Sequence, residues 1–304
     1  MDKVIFIVGA TSSGKSEVAT ALAEKKSGEI ISSDSMQVYR GMDIISQAPG
    51  KELTSRVPHH LVRILPPEED FNCARFCEKA REAIRDIMSR GRLPVIAGGT
   101  GLYIKALLDG IFPSPPKDEV LRRRLRMIAR DKGNEYLYRE LERIDPVTAG
   151  KLHPNDLRRV IRAIEVYELT GSTMNEKKSS SEGIASEHDC LLFGLELPRK
   201  VIYGRINVRV ERMFREGLAE EVRELKKRQL SLTAEKALGI KELGAFLEGG
   251  LSLEKAGEEL KKNTRRYAKR QLTWFRKDRR INWIDAQRPV EEIVGDIKQR
   301  MDQR

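Results

Sequence analysis

The sequence is poor in cysteine, histidine and aromatic residues, and it has no long apolar run. Three cysteines, Cys73, Cys77 and Cys190, stand among 304 residues, too few and too odd in number for a disulfide framework. Cys73 and Cys77 lie four apart on a segment with helical periodicity, so apolar packing is expected of them. The histidines (His59, His60, His153 and His188) do not combine with them in any zinc-finger spacing. Near the start the longest strongly apolar run is Val4 to Val8, far short of the roughly 18–20 residues of a membrane span. Asp2 and the glycine-rich stretch after Val8 do not follow a secretory-leader pattern. The expectation is a reduced, soluble, cytoplasmic protein with no membrane partner.

Charge is abundant and unbalanced. Lys and Arg number 57 against 46 Asp and Glu, a formal net charge of +11. Charged residues make up 34% of the chain, against about 25% in an average globular protein. Hydrophobic residues at 39% still suffice for a core in one large or two smaller domains. The basic excess must therefore sit outside, where a polyanion is a plausible partner and a merely basic surface is the plainer alternative.

Residues 3–8 and 29–32 are short apolar runs that predict buried strands, with a helix over 15–26 between them. Helical spacing of Phe76, Ala80, Ala83, Ile84, Ile87 and Met88 predicts a helix over 73–90. LPVIA (93–97) predicts a third strand, followed by GGTG and a helix from Leu102. This alternation predicts a parallel sheet with helical crossovers. FPSPP (112–116) reads as a rigid joint, after which 118–131, 134–143 and 155–170 are all helical in pattern. NEKKSSSEG (175–183) predicts a mobile loop. CLLFGLEL (190–197) returns to strand, helices follow from Pro198, and NWI (282–284) is a candidate last strand. The expected architecture is α/β: a P-loop NTPase-like core, its parallel sheet flanked by helices, over 1–115 and 190–304. An all-helical insertion domain occupies 116–189.

Gly9, Ala10, Thr11, Ser12, Ser13, Gly14, Lys15 and Ser16 fit G-x-x-x-x-G-K-[ST] in full, after a strand and before a helix. Glycines let backbone N–H groups converge on phosphate oxygens, the helix N-terminus adds partial positive charge, and Lys15 adds a full one. The Ser16 hydroxyl can ligate Mg²⁺. The motif specifies a polyphosphate without saying which. Hydrolysing NTPases usually carry an acid at the end of a neighbouring strand, but LPVIA runs into Gly98-Gly99-Thr100-Gly101. The nearest acid in pattern is Asp34, in DSMQVYRG after the second strand. Carboxyl ends of parallel strands face one crevice, so Asp34, the GGTG loop and the phosphate loop should meet.

Two tracts concentrate the basic charge. Arg122, Arg123, Arg124, Arg126 and Arg130 share the first insertion helix, and Arg158, Arg159 and Arg162 the third. Residues 261–280 hold ten Lys and Arg with Asp278 the only acid, interleaved with Tyr267, Trp274 and Phe275. Phosphate contact together with base stacking suits this mixture.

Taken together, GATSSGKS (9–16), SSDSMQVYRGMDI (32–44), VPHHL (57–61), AGGTGLY (97–103), RRVIRAIEVYELTG (158–171), LGIKEL (238–243) and TRRYAKRQLTWFRK (264–277) resemble the tRNA dimethylallyltransferases (tRNA isopentenyltransferases) of bacterial type. The resemblance covers nearly the whole chain and implies transfer of a dimethylallyl group from its diphosphate to the exocyclic N6 amine of the adenosine immediately 3′ of the anticodon. An aryl amine is a poor nucleophile that gains from losing a proton, and Asp34 is the candidate base; by resemblance Thr100 and Arg209 contact the diphosphate from the opposite side, with Arg205 an alternative for the arginine. Ser35, Met36 and Gln37 would hold the adenosine. Arg122, Arg123, Arg158, Arg159, Arg162, Lys241, Arg265, Arg266, Lys269, Arg270 and Trp274 would meet the tRNA, and the protein is expected to be a monomer that uses Mg²⁺. The sequence departs from the family pattern in three places. Ile45-Ser46-Gln47-Ala48-Pro49 replaces a common Gly-Thr-Ala-Lys-Pro, Arg63 stands where an acid is frequent, and Ile240 replaces a common Tyr. An isopentenyltransferase acting on free AMP, a small-molecule or nucleotide kinase, and a non-catalytic RNA-binding protein are the competing readings.

Overall fold

Short runs of Val, Ile and Phe bounded by glycine build the sheet. In the computed structural model, which describes residues 2–111, 115–179 and 182–303, six strands pair in parallel throughout. They are β1 (Lys3–Gly9), β2 (Gly28–Ser32), β3 (His59–His60), β4 (Leu93–Gly98), β5 (Asp189–Glu196) and β6 (Ile281–Asp285), in the order β3-β2-β4-β1-β5-β6. β1 is central, and Val4 to Val8 are fully buried, as expected for a strand covered on both faces. Its register sets Val8 beside Gly98 of β4 and Gly194 of β5, so the loops that follow β1 and β4 start at the same level. Sequence pattern anticipated every strand except β3, whose two residues are too short to carry periodicity.

Helices cover the sheet where apolar residues recur at helical spacing. The helix Cys73–Ser89 buries Phe76, Cys77, Ala80, Ala83, Ile84 and Ile87 on one face, and the Asn72 side chain caps it by accepting from the amides of Ala74 and Arg75 at 3.0 and 3.1 Å. Cys77 is buried and Cys73 half-buried, in keeping with packing. Among the described residues no helix is long and apolar enough to cross a membrane.

The chain divides into two compact units, Met1–Leu108 with Ile184–Arg304, and Asp109–Gly183. Among its described residues the second unit's regular elements are all helices: Glu119–Lys132, Asn134–Ile144, Pro146–Ala149, Leu157–Thr170 and Met174–Ser179. It has its own core of Leu121, Leu125, Leu137, Leu141, Val160 and Ile164. Of the FPSPP joint, residues 112–114 lie outside the described residues, as do 180 and 181 of the expected loop. The start of that loop is instead a helix. Thr173 and Glu176 form a reciprocal cap, in which Thr173 Oγ1 accepts from the Glu176 amide at 3.1 Å and the Glu176 carboxylate from the Thr173 amide at 2.7 Å. The T-x-x-E spacing was available in the sequence, and polar composition masked it.

Glu165 is fully buried and holds the helical unit together. Its carboxylate accepts from Arg122 Nε and Nη2 at 2.7 and 2.8 Å, from the Asp118 amide at 2.9 Å, and from Arg162. Burial alone would raise its pKa, but the hydrogen bonds from Arg122, Arg162 and Asp118 outweigh it and hold the group down at about 2. The stability this contributes is present above the ordinary carboxylate range and is lost as pH falls from there toward about 2. Replacing Glu165 by Ala removes the buried carboxylate that two guanidiniums share. It should loosen the unit by about 3 kcal/mol, seen in the full chain as faster amide exchange in Glu119–Lys132 and Leu157–Thr170 with exchange in β1 unchanged; unaltered exchange in those helices would contradict the assignment.

Candidate active site

Three loops leave the carboxyl ends of β1, β2 and β4 and line one cleft of about 1370 Å³. The first is the phosphate loop. Gly14 takes the left-handed conformation (φ 91°), turning the chain directly into the helix Lys15–Lys25, whose N-terminus has no side-chain cap. Amide donors and the positive end of the helix therefore face the cleft. Lys15 Nζ donates to the Ala10 carbonyl at 2.5 Å. Burial, then the neighbouring Arg209 charge, push its pKa down to about 8 against the opposing pull of Asp34.

Arg209 reaches the same loop from the helix Arg199–Arg215. Its Nη1 donates to Thr11 Oγ1 at 3.0 Å and Ser12 Oγ at 3.5 Å, and burial pulls its pKa down to about 10. Arg205 lines the same cleft with an exposed side chain and no such bond to the loop.

The second loop carries Asp34. Its amide donates to Ser32 Oγ at 3.3 Å, and its Oδ1 accepts from the Met36 amide at 2.9 Å. Asp34, Lys15, Arg209 and Tyr267 line the same cleft, and the Asp34 charge opposes the downward push of burial on the Lys15 and Arg209 pKa values. Gln37 Oε1 accepts from the Ser32 hydroxyl at 2.8 Å. Met36 is half-buried against the core, and Ser35 donates its amide to Thr100 Oγ1 at 3.2 Å. That bond joins the second loop to the third, where the Thr100 amide donates to the Ser33 carbonyl at 3.3 Å.

The helix Leu253–Phe275 straps these loops together. Gln271 is buried; its Oε1 accepts from the Thr11 amide at 2.8 Å, and its Nε2 donates to the Gly99 carbonyl at 2.9 Å. Gly99 and Gly101 are glycines because of this approach. A Cβ on Gly99 would lie 2.2 Å from Gln271 Nε2, and one on Gly101 2.2 Å from Trp274 Cδ1. Tyr267 lines the cleft one turn before Gln271. Gln271 carries no motif and was not anticipated from the sequence, although Tyr267, Gln271 and Trp274 share a helix face by spacing.

The family model described as IPP transferase matches residues 37–278, and the model described as Isopentenyl transferase matches residues 2–60. A tRNA dimethylallyltransferase from Geobacter sulfurreducens is 47% identical, with 93% of this chain and 92% of that protein aligned. One from Geobacillus thermodenitrificans is also 47% identical, over 96% of this chain and 95% of its own. The chain belongs to the tRNA dimethylallyltransferase family. Its fold agrees with the crystal structure of the full-length tRNA isopentenylpyrophosphate transferase from Bacillus halodurans (TM-score 0.72, 39% identity, 100% of this chain and 98% of that one). It also agrees with a eukaryotic dimethylallyltransferase acting on tRNA (TM-score 0.76, 30% identity, 94% and 74%).

For a tRNA dimethylallyltransferase, the basic residues sort by what they touch. Arg122 and Arg162 were expected to face tRNA. Their side chains are only 15% and 23% exposed and are spent on Glu165, with Arg162 also donating to the Pro115 carbonyl at 3.0 Å. Their structural work is thus inside the helical unit. Arg123, Arg158 and Arg159 are exposed there, with Arg159 reaching Asp156 at 3.2 Å. On the core unit Lys241, Arg266, Lys269 and Arg270 are exposed, Arg265 donates to Asn207 Oδ1 at 2.7 Å, and Trp274 is 38% exposed. Two departures from the family pattern also have local explanations. Arg63 pairs with Asp43 and donates to the Pro49 carbonyl at 3.1 Å, tying down the segment between them. Ile240 is buried at the start of the helix Ile240–Leu247.

Two outcomes follow for Lys15. Its pKa of about 8 lies below the ordinary 10.5, so the buried charge costs stability below pH 8, and that cost is relieved as pH rises toward 10.5. Affinity for a diphosphate ester, which needs the charged form, should fall as pH rises through about 8. Titration calorimetry and thermal unfolding across that range should give slopes of opposite sign in the wild type and neither in Lys15→Met; parallel slopes would refute the assignment.

Proposed function

We propose that the chain transfers the dimethylallyl group of dimethylallyl diphosphate to the N6 amine of the adenosine immediately 3′ of the anticodon in tRNA, as a cytoplasmic monomer. The observation that carries this reading is that the Asp34 carboxylate, Lys15 and Arg209 line one cleft. The cations suit a diphosphate leaving group, and the carboxylate suits a base. In the transfer the C1–O bond of the ester breaks and its electron pair leaves with the diphosphate. The N6 lone pair forms the new N–C1 bond, and the N6 proton passes to Asp34.

Each loop then has a task. The phosphate loop Gly9 to Ser16, with Lys15, would receive the diphosphate as negative charge grows on it, through amides other than those of Thr11 and Ser13, which are bonded to Gln271 and Ala10. Arg209, bonded to Thr11 and Ser12 of that loop, would hold it beside Lys15, and Thr100 would contact it from the neighbouring loop. Ser35, Met36 and Gln37 would seat the adenosine, which must leave its stack to arrive. The residues fit a Mg²⁺ that arrives with the diphosphate. Among the described residues no cluster of three or more His, Cys, Asp or Glu could hold a metal by itself, but Ser16 offers a hydroxyl beside the loop. Mg²⁺ commonly takes few protein ligands and completes its shell with phosphate oxygens and water, and it would neutralise leaving-group charge. Arg123, Arg158 and Arg159 on the helical unit, and Lys241, Arg265, Arg266, Lys269, Arg270 and Trp274 on the core unit, would meet the RNA. β4 ends in Gly98 rather than an acid, which disfavours a phosphate-hydrolysing or kinase reading.

Asp34→Asn tests the base. Prenyl transfer to an anticodon stem-loop should slow by about 10²–10⁴-fold with RNA affinity nearly unchanged, whereas equal loss of both would make Asp34 structural. RNA binding by the wild type should weaken steeply and linearly on a log–log plot against salt; a flat response would remove the basic surfaces from the proposal.

A further inference from the structure

Gln47 lies in the segment where this chain departs from its family's pattern, and it makes more directed contacts than any other residue there. It ends the short helix Asp43–Ser46 in the left-handed conformation (φ 51°), a cost for a non-glycine residue that its surroundings must offset. Its side-chain amide is oriented at both ends. Nε2 donates to the Ile44 carbonyl at 2.8 Å, which turns Oε1 toward Arg209 Nε at 3.1 Å and Arg212 Nη2 at 2.8 Å. Two guanidiniums thus share one neutral acceptor, and Arg209 is left with Nη1 on Thr11 and Ser12 of the phosphate loop.

The segment that presents Gln47 is itself anchored. The Glu221 carboxylate accepts from the amides of Ile44 and Ile45 at 2.9 and 2.8 Å. Arg63 ties Asp43 to the Pro49 carbonyl. On the far side, the Gln47 carbonyl accepts from Gln37 Nε2 at 3.1 Å, and Gln37 shares Ser32 Oγ with the Asp34 amide. A continuous set of hydrogen bonds therefore runs from the cation over the phosphate loop to the turn that carries the carboxylate.

We infer that Gln47 is a positioning residue of the transfer reaction: it fixes the angle at which Arg209 addresses the diphosphate and couples that arginine to the Asp34 loop. A neutral acceptor suits the task. A carboxylate in its place would hold Arg209 by charge and compete with the incoming anion, while an alanine would leave the guanidinium unguided. This inference rests on the prenyl-transfer reading for its kinetics but not for its binding, because inorganic diphosphate probes Arg209 without any chemistry.

The test is a double-mutant cycle of Gln47→Leu and Arg209→Ala, read by calorimetry with inorganic diphosphate and Mg²⁺ and by transfer kinetics. Gln47→Leu in the wild-type background should weaken diphosphate binding and raise KM for dimethylallyl diphosphate by roughly tenfold, the worth of a charge-assisted hydrogen bond. KM for the RNA should not change. In the Arg209→Ala background the same substitution should change diphosphate binding little, because Gln47 acts through that arginine. Gln47→Asn, which tolerates the left-handed backbone but is too short to reach, should behave like Gln47→Leu, guarding against a folding defect of the leucine variant. Equal effects in both backgrounds, or none in either, would overturn the inference. A wild type that binds diphosphate with this pattern but transfers no prenyl group would instead overturn the proposed reaction and leave the positioning role standing.

Discussion

Two mostly buried cations beside one carboxylate are the constraint around which this molecule is arranged. Drawing Lys15 and Arg209 out of water lowers both pKa values and costs free energy that a protein keeps only where the charge is used. Neither side chain holds its place alone. The lysine rests on the Ala10 carbonyl, the arginine on Thr11, Ser12 and Gln47, and the loop beneath them is strapped to the sheet through Gln271. The parallel sheet makes this possible by ending β1, β2 and β4 at one level, so that three separate loops converge.

Prenyl transfer makes opposed electrostatic demands within a few ångströms: positive charge where diphosphate departs and negative charge where an amine loses its proton. In the proposed reaction, a cleft with cations at the loop after β1 and Asp34 at the loop after β2 would meet both without a movement of protein charge, the sense in which preorganised groups lower a barrier. Hydrogen bonds through Gln47, Gln37 and Ser32 tie Arg209 to the Asp34 turn, so packed structure sets how the cation and the carboxylate are placed.

Much of this was legible in the chain. The phosphate loop follows from glycine and lysine spacing, the parallel sheet from apolar runs alternating with helical periodicity, and Asp34 and Thr100 from their places just beyond two strands. What escaped was the tertiary hydrogen bonding. Nothing in local sequence turns Arg122 inward, because the carboxylate that claims it is 43 residues away; Glu165 lies only three residues beyond Arg162 on one helix, but spacing does not show that the pair is buried. Gln271 and Gln47 are neutral amides with no motif, and their work appears only when residues 260 and 162 positions away along the chain come within 3.1 Å. β3 is too short to show alternation, and the Met174–Ser179 helix was hidden by a polar composition that its Thr173–Glu176 cap overrides.

The central claim is that the cleft joins a diphosphate site to a base that serves an RNA adenosine. Its most direct test is an acceptor competition. The full-length protein, Mg²⁺ and dimethylallyl diphosphate are supplied with an anticodon stem-loop and with AMP in turn, and the prenylated product is identified by mass. The account predicts N6-prenylated RNA, with no product from AMP. Prenylated AMP in the absence of any RNA product would contradict it.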